Sequence, residues 1–255
     1  LAIDIGNTNI VLGCMEHDRI LVEARMATDL LKTSDQYCVE LKNLLNLYEV
    51  DLQAIEGVII SSVVPPVLNS CRTAVRKLTG KTPMIVGPGI KTGLNIRSDQ
   101  PQQVGADRVA AAVAAKARGS LPCVVVDCGR ATTFTVLDEN GALVASAITA
   151  GVELSLEALR AQTAQLPTVA LVRGAKYDVM ARNTADAMRV GAVMGAAAMV
   201  DGLIGRYAAV LGKTPRVWLT GDCCQLIAPH LSIGWDRADD LIFEGLRLVW
   251  SKNRG

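Results

Sequence analysis

A short polar segment follows the first apolar run and carries the residue types that hold phosphate. Asp4 precedes Gly6, and side chains with hydrogen-bond donors follow at Asn7, Thr8 and Asn9. The glycine lets the backbone come close to a phosphate, and the carboxylate can hold Mg²⁺ or its waters. An ordinary hairpin turn explains the same residues, because Gly, Asn and Thr are common in turns.

A second segment, Val104 to Arg108, lies where a glycine-containing loop enters a predicted helix. Asp107 could act as a general base toward a substrate hydroxyl, and Arg108 could neutralise charge that develops on a phosphoryl group. The simpler interpretation is structural. An aspartate in a first helical turn is favoured by the helix dipole, with the neighbouring arginine solvated.

A third segment resembles the first. Asp127 and Gly129 have the spacing of Asp4 and Gly6, at an offset of 123 residues, and the match continues without a gap through a polar turn and a further apolar strand. We interpret the two copies as an internal duplication, so the third segment becomes a second phosphate hairpin. Chance is the alternative, since apolar strands ending in Asp-x-Gly are common. Thr132, in this hairpin, also suits a strand by β-propensity alone.

A fourth segment precedes a long predicted helix from about Thr184 to Leu211. Asn183 or Thr184 makes a good N-cap, and capping is the simpler role for both. The small residues Gly191 and Gly195 allow another helix to approach closely. That approach could be a dimer seam, although internal packing is the simpler explanation.

Strands alternate with helices along the chain, which predicts an α/β fold. Besides the strands of the two hairpins, the pattern predicts strands over 57–64, 83–86, 169–172 and 216–220. It predicts helices over 34–47, 65–78, 104–117, 151–165, 184–211 and 240–252.

The composition argues against several classes of protein. Half of the 255 residues are hydrophobic and the formal net charge is +1, so neither disorder nor a nucleic-acid partner is expected. The uncharged run from Val190 to Val200 is about half the length that a membrane span needs. We therefore expect no membrane partner, and no signal peptide is recognised at the start.

The cysteines predict a reducing environment. There are seven of them, irregularly spaced and with no C-x-x-C pair, so neither a zinc site nor a redox pair is supported. Several lie in apolar runs, as small core residues do. The expected location is the cytoplasm.

The motifs and their order together resemble the type III pantothenate kinases over nearly the whole chain. The resemblance implies duplicated ribonuclease H-like (actin-like ATPase) domains with a cleft between them, which we place at 1–118 and 119–255. The segments that carry it are Asp4–Asn9, Arg25 with Thr28, Ser61–Pro65, Gly105–Arg108, Asp127 with Gly129, Leu154–Leu159, Leu166–Pro167 and Asn183–Thr184.

The resemblance implies ATP-dependent phosphorylation of pantothenate, the first step of coenzyme A synthesis, with Mg²⁺ and a monovalent cation (K⁺ or NH₄⁺) as cofactors. It also implies a homodimer. Asp107 would be the general base and Asp127 would bind the monovalent cation. ATP would be held by Asp4, Ile5, Gly6, Asn7, Thr8, Asn9, Ile10, Val11 and Thr132. Pantothenate would be held by Gly105, Ala106, Asp107, Arg108 and Thr184.

Four positions depart from the family pattern: Arg130 stands for a threonine, Ala150 for a proline, Ser98 for a tyrosine and Asp222 for a glycine. Arg130 is the largest change, since a fixed cation replaces a small hydroxyl at a phosphate loop. Its guanidinium could replace the monovalent cation, or it could block the loop. The departures also leave two alternatives to the kinase: a catalytically weakened paralogue, which would act as partner subunit or regulator in a heteromer, and a kinase with another acceptor.

Overall fold

The computed structural model describes residues 1–175 and 177–254, which form two compact units. The first contains Leu1–Leu94, Asp99–Ala117 and the chain from Asp240 onward; the second contains Asn95–Ser98 and Arg118–Asp239. The segment from Asp240, which our sequence-based division placed in the second half, thus belongs with the first unit.

The first unit is built on a five-stranded sheet. A meander of three antiparallel strands is extended on one side by two parallel strands, in the order β3-β2-β1-β4-β5. The strands are β1 (Ala2–Ile5), β2 (Asn9–Glu16), β3 (Arg19–Ala27), β4 (Ile59–Ser62) and β5 (Met84–Ile85), and the helices are α1 (Ser34–Leu47), α2 (Pro65–Thr79), α3 (Ala106–Ala117) and α7 (Leu241–Asn253).

Helix boundaries in this unit follow from local chemistry. Thr33 caps α1 in a capping box with Gln36, and a proline at its first position starts α2, which ends at Gly80 in the left-handed region. Helix α7 packs so closely on α3 that a Cβ atom at Gly245 would overlap the backbone of Ala110. This packing makes the last helix part of the first unit's core.

The second unit repeats this architecture. Its sheet has the order β10-β9-β6-β7-β8, again an antiparallel meander extended by two parallel strands. The strands are β6 (Cys123–Cys128), β7 (Ala131–Leu137), β8 (Leu143–Ala150), β9 (Arg216–Thr220) and β10 (Asp236–Arg237), and the helices are α4 (Val152–Gln162), α5 (Thr184–Leu211) and α6 (Cys224–Ile227).

The shared strand order confirms the predicted duplication. The two aspartates occupy comparable places: Asp4 in β1 lies between Val11 of β2 and Ser61 of β4, and Asp127 in β6 lies between Thr133 of β7 and Thr220 of β9, although the second hairpin turn is one residue shorter. Each unit thus places one aspartate near the carboxyl end of its first strand.

The predicted elements differ from the structure in three places. Residues 169–172 form no strand, because this apolar stretch packs as an irregular segment in which Leu171 contacts the second unit's core. Strand β10 and helix α6 were missed, since elements of two and four residues are too short to leave a periodic pattern. Helix α5 is the one helix among the described residues that is long and apolar enough to cross a membrane, and a third of its most apolar stretch is buried.

Candidate active site

The turn between β1 and β2 is held in place by Thr28, the residue that directly follows β3. The Gly6 amide donates to the Asn9 carbonyl oxygen at 3.0 Å, which closes the turn. The Thr28 hydroxyl donates to the Gly6 carbonyl oxygen at 2.7 Å, and the Thr28 amide donates to that of Thr8 at 2.9 Å. These bonds fix the backbone and leave the side chains of Asn7 and Thr8 exposed, as a phosphate-binding turn requires.

Asp4 is a partly buried acid beside this turn. The Ser61 hydroxyl donates a short hydrogen bond to its carboxylate. Burial raises the pKa of Asp4 to about 7, the Ser61 hydrogen bond opposes that rise, and the negative charge of Asp107 adds to it. A divalent cation stabilises ionised carboxylates and prefers oxygen ligands, so this pair of acids fits Mg²⁺ with its waters.

Asp107 lies in the first turn of α3 and accepts a hydrogen bond from the Arg108 amide at 2.7 Å. Burial raises its pKa, while that hydrogen bond and the charge of Arg108 oppose the rise. A Cβ atom at Gly105 would collide with the Asp107 carboxylate, so glycine there leaves room for it. A carboxylate with a raised pKa is a better proton acceptor at neutral pH than an ordinary aspartate. Ala106, between them, is buried in the helix start.

Asp127 is the equivalent acid of the second unit, and its carboxylate lies close to the backbone of two glycines. A Cβ atom at Gly221, which has φ +95°, would overlap the Asp127 carboxylate, and one at Gly129 would lie 3.7 Å from it. Carboxylate and carbonyl oxygens are the ligands that hard cations prefer. No group of three or more His, Cys, Asp or Glu side chains forms a metal site within residues 1–175 and 177–254.

Arg130 follows this second turn and is bound to helix α4. Its two terminal nitrogens donate to the Glu157 carboxylate at 3.2 and 2.7 Å, a bidentate pair. The Arg130 carbonyl oxygen accepts from the Gly151 amide at 2.9 Å, and a Cβ atom at Gly151 would overlap the backbone of Gly129. The loop is therefore held by both its backbone and its side chain.

The remaining residues that the sequence singled out lie in β7 and at the start of α5. Thr132 is buried in β7, with 2% of its surface exposed. Asn183 is the N-cap of α5, accepting from the Asp186 amide at 2.9 Å, and Thr184 is the exposed first residue of that helix. The capping prediction for Asn183 is thereby confirmed.

The structure brings together Asp4, Asp107 and Gly105 in the first unit. Our sequence reasoning assigned no role to Ser61 or Glu157, which turn out to be the hydrogen-bonding partners of Asp4 and Arg130. The polar pair Ser61-Ser62 at the end of an apolar strand was a usable signal for the first. Nothing in the sequence pattern pointed to the second.

Two sheets of the same strand order, each with an aspartate beside a glycine turn, define the actin-like ATPase and sugar-kinase class of fold. Component A of (R)-2-hydroxyglutaryl-CoA dehydratase from Acidaminococcus fermentans shares this fold with a TM-score of 0.55 at 13% identity, covering 97% of this chain and 93% of that one. MreB 5 from Spiroplasma citri, solved with AMPPNP, has a TM-score of 0.54 at 10% identity, covering 98% and 95%.

Comparison of sequences identifies one family within that class. The family model of type III pantothenate kinase matches residues 1–206. A type III pantothenate kinase from Syntrophotalea carbinolica is 40% identical over 255 residues, which is 100% of this chain and 99% of that protein. The chain belongs to the type III pantothenate kinase family.

Proposed function

We propose that this protein transfers the γ-phosphoryl group of ATP to pantothenate with Asp107 as its general base. The activity follows from family membership: the protein is an ATP-dependent pantothenate kinase that acts in coenzyme A biosynthesis. The single observation that carries the residue assignment is the partly buried pair Asp4 and Asp107: burial raises the pKa of both carboxyl groups, and the charge of Asp107 adds to the rise at Asp4. Two such acids beside a fixed polar turn suit a cation-assisted phosphoryl transfer.

In this mechanism Asp107 accepts the proton of the pantothenate hydroxyl while the hydroxyl oxygen attacks the γ-phosphorus atom of ATP. The new bond joins that oxygen to phosphorus, the bond to the β-phosphate oxygen breaks, and ADP leaves with the electron pair. Arg108 neutralises charge on the transferred group, and the segment Asp4 to Val11 holds the ATP phosphates. Mg²⁺, when bound through Asp4, screens the phosphate charge.

A coupled assay for ADP release tests the activity. We expect release that depends on pantothenate and Mg²⁺, with purified protein and ATP. Release without pantothenate, or none at all from folded protein, would contradict it. The weakened-paralogue alternative is not favoured, because 40% identity runs along the full chain and Asp4, Asp107, Arg108 and Asp127 are all present.

The monovalent cation is a separate proposal. Asp127 would bind K⁺ or NH₄⁺ in the family, and we infer that the guanidinium of Arg130 supplies that positive charge here. Turnover should then be nearly independent of K⁺. In Arg130→Thr, turnover without K⁺ should fall by roughly ten-fold and be restored by K⁺, as measured by ADP release in K⁺ and Na⁺ buffers. Strict K⁺ dependence of the unsubstituted protein, with no effect of Arg130→Thr, would remove this role.

We further propose that α5 forms a homodimer seam. Gly191, Gly195 and Gly205 lie on its exposed side, and a Cβ atom added to any of them would meet nothing within 4 Å. Such a strip allows two helices to approach closely. This interface would also account for an apolar helix that is only partly buried, in a protein that we place in the cytoplasm without a membrane partner.

Gly195→Leu should convert the dimer largely to monomer, because the leucine side chain would separate the two helices. The change gains about 1 kcal/mol of helix propensity, so unfolding is not the expected cause. Light scattering coupled to size exclusion measures the mass, and Gly234→Leu, at another exposed glycine with open space around it, is the control. An unsubstituted protein that is monomeric, or a Gly195→Leu dimer, would contradict the seam.

A further inference from the structure

The strongest unexplained feature near the second hairpin is the ion pair between Arg130 and Glu157. Arginine forks onto a carboxylate and onto a phosphate with the same bidentate geometry. Arg130 directly follows Gly129 in the turn that is equivalent to the phosphate turn of the first unit. The guanidinium of Arg130 lies where a phosphate-binding group is expected. The Glu157 carboxylate therefore holds the position on this guanidinium that a phosphate could take.

The ion pair is exposed to solvent, and little free energy is needed to separate it. The side chains of Arg130 and Glu157 are 44% and 53% exposed, and ion pairs this exposed contribute little to stability. The guanidinium hydrogen-bonds to no other group among the described residues, and the backbone of Arg130 stays fixed through Gly151. The side chain can thus change partner without moving the loop.

We propose that Glu157 is a resting counter-ion for Arg130, which the nucleotide phosphate displaces. A phosphate carries more negative charge than the carboxylate and accepts the same two hydrogen bonds, so Arg130 moves from Glu157 to a phosphate oxygen when nucleotide binds. Glu157 is then a positioning residue that lowers nucleotide affinity by competing for the guanidinium. This inference rests on the proposed ATP site and adds the residue that controls it.

Nucleotide binding tests the exchange without relying on turnover. The probe is the fluorescent analogue mant-ADP with Mg²⁺, titrated in a low-salt buffer. Glu157→Gln should bind it about two- to five-fold tighter, because the competing charge is gone. Arg130→Gln should bind it about ten-fold more weakly. In the double variant the change at Glu157 should have no further effect, since its partner is absent.

Two substitutions control for net charge: Glu139→Gln, in an exposed turn, and Arg19→Gln, at the exposed first residue of β3, should leave the Kd unchanged. Weaker binding by Glu157→Gln would show that the pair only braces the loop and would overturn the inference. An unchanged Kd in Arg130→Gln would do the same. If the unsubstituted protein bound no mant-ADP, the ATP site itself would be wrong, and pantothenate-dependent ADP release, assayed in parallel, distinguishes that outcome.

Discussion

Asp107→Asn is expected to lower kcat for pantothenate-dependent ADP release by about 10²–10⁴-fold, with a much smaller change in KM. The amide has the size of the carboxylate and can still accept the hydrogen bond from the Arg108 amide, but it cannot take the proton of the substrate hydroxyl. The loss should therefore appear in the transition state. Steady-state kinetics at saturating ATP and Mg²⁺ measures it.

Asp35→Asn is the matched control for this change. Asp35 is also an acid in a first helical turn, that of α1, where it forms an exposed ion pair with Lys77. Its loss removes the same favourable interaction with a helix dipole but no proposed catalytic group. Equal activity losses in the two variants, or an unchanged kcat in Asp107→Asn, would mean that Asp107 only stabilises the N-terminus of α3.

Asp4→Asn is expected to stabilise the nucleotide-free protein at high pH. In the folded protein the pKa of Asp4 is raised from 3.8 to about 7, so its carboxyl group keeps its proton over a pH range where the unfolded chain has lost it. The free energy of unfolding therefore falls as the pH rises from about 4 to about 7. Asparagine is always neutral and removes this loss.

The difference between the variant and the unsubstituted protein should grow from near zero at pH 4 to on the order of 4 kcal/mol at pH 8, since each pK unit corresponds to about 1.4 kcal/mol. Urea unfolding across this pH range, without Mg²⁺ or nucleotide, measures it. Asp18→Asn, in an exposed turn, should show no such trend. A variant that is less stable at pH 8 would mean that ionised Asp4 stabilises the fold, and the proposed reason for its affinity for Mg²⁺ would fail.

Local chemistry explains which parts of the fold could be predicted. Helix α1 begins at the predicted residue because Thr33 and Gln36 form a capping box that is visible in the sequence. The duplication could be read because both copies keep the spacing between Asp and Gly. Both signals lie within a few residues of the element that they define.

The parts that escaped prediction depend on residues far apart in the chain. Ser61 meets Asp4 across 57 positions, and Glu157 meets Arg130 across 27. Helix α7 shows the same limit, since its apolar face could have packed on either unit. Only the three-dimensional arrangement shows that Gly245 fits against Ala110 of α3.

The position of α7 has a consequence for synthesis of the protein on the ribosome. The second unit is formed mainly by the continuous stretch Arg118–Asp239, whereas the first also requires α7, which follows that whole stretch in the chain. In multidomain chains the N-terminal domain generally folds first, but here the first unit cannot be completed until the second has been synthesised. Helix α3, which carries Asp107, lacks its packing partner α7 until then. A nascent chain can therefore complete its second sheet before the helix that carries Asp107, the proposed base, is held in place.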